Sequence, residues 1–167
     1  MNFLLLSIAL QIPVALPNGY EGFNWGMTVE QLTSQLPVKK ATQGSEFGYA
    51  DHMEQDPQVF VRTTQDNTRI EYYFFEDKLY KIFVVYDRAK SSNDFYKSLI
   101  KKTQKEHGNA SSYYQENVMG IVVLHAIWDD GTSTLDLRSG AGYIYEVMIN
   151  KAAERKKALA QQRKGSI

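Results

Sequence analysis

The apolar positions of this chain fall into one nearly unbroken run, two helical stripes and a series of short strand-like segments. The nearly apolar run comes first. Residues 3–16 read Phe-Leu-Leu-Leu-Ser-Ile-Ala-Leu-Gln-Ile-Pro-Val-Ala-Leu and carry no charge. The run is shorter than the ~20 residues that cross a bilayer and matches the apolar core of a secretory leader. Pro13 suits the break before a cleavage region, and Pro17-Asn18-Gly19 reads as a turn. No Lys or Arg precedes Lys39, so the positive flank of such a leader reduces to the α-amino group.

A helical stripe follows. Thr28 is a good N-cap with Gln31 three residues later, the spacing of a capping box. Val29, Leu32 and Leu36 share one face and Pro37 ends the segment, which predicts a helix over 28–36. Residues 39–57 are polar and aperiodic, a loop with a weak strand signal at Phe47–Ala50. Val59–Thr64, Arg69–Phe75 and Leu79–Tyr86 are rich in aromatic and β-branched residues, and Glu76-Asp77-Lys78 makes a turn between the last two. Both faces of that hairpin are apolar, which predicts central or doubly covered strands.

Ser91 or Ser92 caps a second helix running to about His107, with Phe95 and Leu99 on its dry stripe, Lys97, Lys101, Lys102 and Lys105 on its wet side, and Gly108 ending it. Gly120–Trp128, Thr132–Arg138 and Tyr143–Ile149 read as three strands joined at Asp129-Asp130-Gly131 and Gly140-Ala141-Gly142. Residues 150–163, rich in Ala, Lys, Arg and Gln, predict a terminal helix. The expected fold is therefore α+β: an antiparallel meander sheet of about five to six strands packed by two to three helices. The division expected along the chain is a leader over 1–19, one domain over 20–150 and a basic tail over 151–167.

Two stretches resemble a group of small exported bacterial proteins of unknown function. One is the opening Phe23-x-Trp25-Gly26-x-Thr28-x-Glu30-Gln31-Leu32; the other is the hairpin Tyr73-Phe74-Phe75-Glu76-Asp77-Lys78-Leu79-Tyr80-Lys81-Ile82. The resemblance covers about twenty residues and rests on a helix cap and a turn. It implies a bacterial envelope setting, periplasmic or secreted, and a two-layer α+β fold, and it carries no catalytic residue across.

Composition narrows the chemistry. The 167 residues hold 19 Lys plus Arg against 19 Asp plus Glu, and this zero balance offers no electrostatic case for nucleic acid. The charge is uneven, because Lys151, Arg155, Lys156, Lys157, Arg163 and Lys164 face one acid, Glu154, in the tail. With no cysteine there is no disulfide, no thiolate ligand and no cysteine nucleophile.

The histidines, His52, His107 and His125, have neither metal-ligand spacing nor an HExxH pattern. His125 alternates with Ile121, Val123 and Ile127 on one strand face, where a hydrogen-bonded core residue is the ordinary case. Asp51-His52-x-Glu54-x-Asp56 matches no known metal-loop geometry and reads as a solvated acidic loop. Asp129-Asp130-Gly131 reads as a turn, Gly140-x-Gly142 lacks the rest of a phosphate loop, no Gly-x-Ser-x-Gly elbow occurs, and Asn109-Ala110-Ser111 is a formal glycosylation sequon. Neither metal nor cofactor is implied.

Two features remain as binding candidates. Tyr72, Phe74, Tyr80 and Tyr86, with His125, are aromatic residues that an open sheet face would offer to an envelope protein or a small apolar ligand. Lys151, Arg155, Lys156 and Lys157 are cations that a terminal helix would offer to an anionic membrane surface. The leading expectation is a non-enzymatic interaction module. The alternatives are a small hydrolase or metal-dependent enzyme built on a histidine, and a protein held at a membrane surface by its basic helix.

Overall fold

The computed structural model describes residues 15–41 and 58–164. The weak strand at Phe47–Ala50, the His52 loop and nearly all of the leading apolar run lie outside the described residues.

A two-stranded hairpin opens the described chain, β1 (Gly19–Tyr20) with β2 (Phe23–Asn24). Helix α1 (Val29–Gln35) follows, and both halves of its capping box form: Thr28 accepts from the Gln31 N–H while Gln31 accepts from the Thr28 N–H. Then come β3 (Lys39–Lys40), β4 (Gln58–Thr63), β5 (Arg69–Phe75) and β6 (Lys78–Val85). Helix α2 (Asn93–His107) is capped by Ser92 and closed by Gly108 at φ 77°. Strands β7 (Ser112–Val118), β8 (Ile121–Asp129), β9 (Ser133–Gly140) and β10 (Tyr143–Asn150) precede helix α3 (Lys151–Lys164).

The main sheet corrects the expected strand count. It has eight antiparallel strands in the order β3-β4-β5-β6-β10-β9-β8-β7, not five to six. The strands missing from the expectation include both edges. β3 is two exposed lysines, and every residue of β7 is exposed, so neither shows the alternation that a half-buried strand imprints on a sequence. Two four-stranded meanders, each following a helix, meet where β6 pairs with β10.

One face of the sheet holds the main core. Ile70, Tyr72, Phe74, Ile82, Val84, Trp128, Leu137 and Ile144 pack there with Leu32 of α1 and Tyr96 of α2. Polar groups at this boundary find partners: the Tyr96 hydroxyl donates to the Leu137 carbonyl at 3.1 Å, and the Trp128 indole N–H to the Gly108 carbonyl at 2.9 Å. The segment before α1 is stitched to the sheet by reciprocal bonds, Gly26 N–H to Leu79 C=O and Leu79 N–H to Met27 C=O, both 2.9 Å. On the other face Val59, Tyr73 and Tyr80 form a smaller cluster, with Ala153 of α3 packed against it.

Candidate interaction surface

The aromatic residues singled out from the sequence do not gather in one exposed patch. Tyr72 and Phe74 lie in the main core at 0% and 1% exposure. Their neighbours in sequence point the other way, and Tyr80, at 1%, accepts a hydrogen bond from Lys157 of α3 at 2.8 Å. Tyr86 is half-buried; its ring meets Phe95 of α2 edge-on and its hydroxyl donates to Glu146 at 2.7 Å. Burial raises the carboxyl of Glu146 above the ordinary range, against the opposing effect of the Tyr86 hydrogen bond.

His125 is buried on the opposite face, within a cluster that spans three strands. Its Nδ1 lies 3.1 Å from Asp136 Oδ2 on β9, and its Nε2 lies 3.1 Å from Glu116 Oε1 on β7. The Arg138 guanidinium donates to Asp136 at 2.7 Å, and the Tyr114 ring stacks on the imidazole at 4.3 Å. With each nitrogen against a carboxylate and one ring face under Tyr114, the imidazole ties β7, β8 and β9 together. Among the described residues no group of three or more acidic or histidine side chains is placed to hold a metal.

The basic helix is largely engaged with its own chain. Lys151 pairs with Asp129 at 2.8 Å, Lys156 pairs with Glu76, and Lys157 is buried against Tyr80. Arg155 is exposed. Among the described residues no helix is long and apolar enough to cross a membrane.

The exposed apolar surface lies elsewhere, on the β7–β8 ribbon. Met119 is 98% exposed, Tyr113 56%, Val122 53% and Tyr114 47%, and Val118, Ile121 and Leu124 add to them. Leu159 of α3 is the other large apolar residue so exposed among the described residues. The ribbon turns at Met119 and Gly120, both at positive φ, the type I′ geometry that matches strand twist. Beyond β7 no described strand continues the sheet. The edge is lightly protected against pairing: Ser-Tyr-Tyr-Gln-Glu-Asn-Val contains no Pro and no Lys and a single charge, Glu116, and its register with β8 runs without a shift. One sequence signal pointed to this strand. Gly120 directly before an apolar segment supplies the positive φ that a tight hairpin turn uses, and such a turn requires a partner strand upstream.

A family model, the TP0088 domain, matches residues 18–155. No curated protein and no solved structure matches the chain.

Proposed function

Since this chain belongs to the TP0088 domain family, a membership that by itself specifies no chemistry, we propose that it is a non-enzymatic binding module that docks a partner along the outer edge of its sheet. The observation that carries the reading is β7: a terminal strand exposed at all seven residues, on a ribbon that gathers most of the exposed large apolar side chains. An open edge offers a row of backbone donors and acceptors to an incoming strand, and flanking apolar side chains add affinity to that pairing. The His125 cluster supports this role by bracing the edge, since Glu116 and Tyr114 both hold to a buried imidazole. The leading apolar run is read as an export leader, which places the module in the periplasm or outside the cell.

Affinity capture from native extract tests the reading. Gln115 lies at the middle of β7, and Gln115→Pro removes one backbone donor there. Wild-type chain should retain a partner that the Gln115→Pro chain releases; equal retention by both would count against docking at this edge.

A further inference from the structure

Resting on the edge-docking reading, we propose that the occupant of the β7 edge is a second copy of this chain, its own β7 running antiparallel about a two-fold axis at Gln115. The hydrogen-bond parity of β7 fixes which backbone groups point outward. Val118 and Ile121 flank the two-residue turn, and a turn of that kind closes with the N–H of its fourth residue on the C=O of its first. Val118, Glu116, Tyr114 and Ser112 therefore bond to β8. Tyr113, Gln115 and Asn117 alternate with them and aim their N–H and C=O groups away from the sheet. The far side of β8 gives the same parity. The Asp130 N–H donates to the Ser133 C=O, which makes Asp129 and Thr134 a non-hydrogen-bonded pair, so Ile127, His125 and Val123 bond toward β7.

The outward set is symmetric about Gln115, which is also the midpoint of Ser112–Val118. Two antiparallel copies centred there pair over the full strand. Gln115 faces Gln115 of the other copy, and Tyr113 faces Asn117 twice over. Each of these pairs exchanges two backbone hydrogen bonds, because the facing residues are outward-pointing on both strands. Centring on Tyr113 or Asn117 would leave strand ends unpaired.

The side chains suit the same register. Glu116, the one charged residue of β7, faces Tyr114 of the other copy, so no like charges stand directly opposite. Tyr113 enters the cross-strand row of Asn117 and Val122 of its mate, bringing an exposed ring to an exposed apolar side chain. The product is a self-complementary interface in which the eight-stranded sheets of both copies run on as one.

Sedimentation of the purified chain over a concentration series tests the proposal, beside Gln115→Pro. Proline at an outward-pointing position deletes a donor to the other copy and none to β8. Because symmetry removes that donor twice, dimerisation should weaken on the order of a hundredfold, with far-UV circular dichroism unchanged. In this cysteine-free chain Gln115→Cys should form an interchain disulfide on mild oxidation, while Ser112→Cys, which faces Val118, should not. This pair keeps the register testable if the proline variant folds poorly. A wild-type chain that stays monomeric throughout, or a dimer in which Ser112→Cys cross-links as well as Gln115→Cys, would overturn the proposal. If the purified chain is monomeric yet Gln115→Pro still abolishes capture from extract, the second copy is excluded and edge docking stands. If capture is also unaffected, both fail.

Discussion

At the scale of the residue, the informative groups are ionisable side chains placed out of water. Glu146 sits on the helix-covered face of β10, beside Ile144 and Met148, and its nearest polar partner is the Tyr86 hydroxyl. Desolvation lifts its carboxyl above the ordinary value of 4.5, and the Tyr86 bond and the charge of Lys102 only partly oppose this. A carboxyl raised on folding contributes stability that is full below its unfolded value and is lost as pH rises through the folded one. Glu146→Gln keeps an acceptor for Tyr86 and cannot ionise. The variant should therefore match the wild type most closely in mild acid and gain on it steadily toward neutral pH. Denaturation midpoints of both proteins across that range check this, and parallel curves would refute it. The sequence marked Glu146 as one polar position on a strand; its neighbours come from α2 and the start of the chain, which no local pattern reveals. The same holds for His125. Its alternation with Val123 and Ile127 was legible, and its partners Asp136 and Glu116 came from the register of two other strands.

At the scale of the element, what could be read from sequence is what local chemistry determines. Helices α1 and α2 were legible because Thr28, Gln31, Ser92 and Gly108 punctuate them, and the β5–β6 hairpin because turn residues interrupt two aromatic runs. β7 was not, since a strand exposed on every residue leaves no apolar period. The aromatic hairpin invited a binding role because composition cannot say whether both faces are covered; helices cover one and α3 reaches the other. Helix α3 carries a similar lesson. Its cations look solvated in sequence, yet Lys157 buries its stem and sets its ammonium 5.0 Å from the centre of the Tyr80 ring while donating to the hydroxyl. Lys157→Ala should cost about 2 kcal/mol by lost packing and an orphaned hydroxyl. It should also open α3 to limited proteolysis before the sheet is cut. Arg155→Ala, at an exposed site of the same helix, should stay within about 0.5 kcal/mol. Equal losses for the two variants in chemical denaturation would remove Lys157 as the clasp of this helix.

At the scale of the whole molecule, the question is where the folded body begins, because an export leader and a structural strand compete for the same residues. The core reaches further toward the N-terminus than the turn at Pro17-Asn18-Gly19 suggests. Leu16 is buried with Phe23 and Leu32, and its N–H donates to Asp130 Oδ2 at 2.8 Å, on the turn between β8 and β9. Gly19 then starts β1 at φ 138°, where a Cβ would fall 1.7 Å from the Phe23 carbonyl oxygen, so the backbone there is committed to this fold. If a leader is removed in export, this fold requires the cut to leave the anchor behind, with a processed N-terminus at or before Leu16. Two chains separate the possibilities, one starting at Ala15 and one at Pro17. Burying a leucine side chain is worth roughly 2–3 kcal/mol, and the shorter chain also leaves Asp130 without the Leu16 donor. Chemical denaturation should show it less stable by about that amount, and mass determination of the chain recovered from its native compartment should report a terminus no later than Leu16. Equal stability of the two chains, or a natural terminus within Pro17–Gly22, would mean that Leu16 is not part of the working fold and that the sheet holds together without its N-terminal anchor.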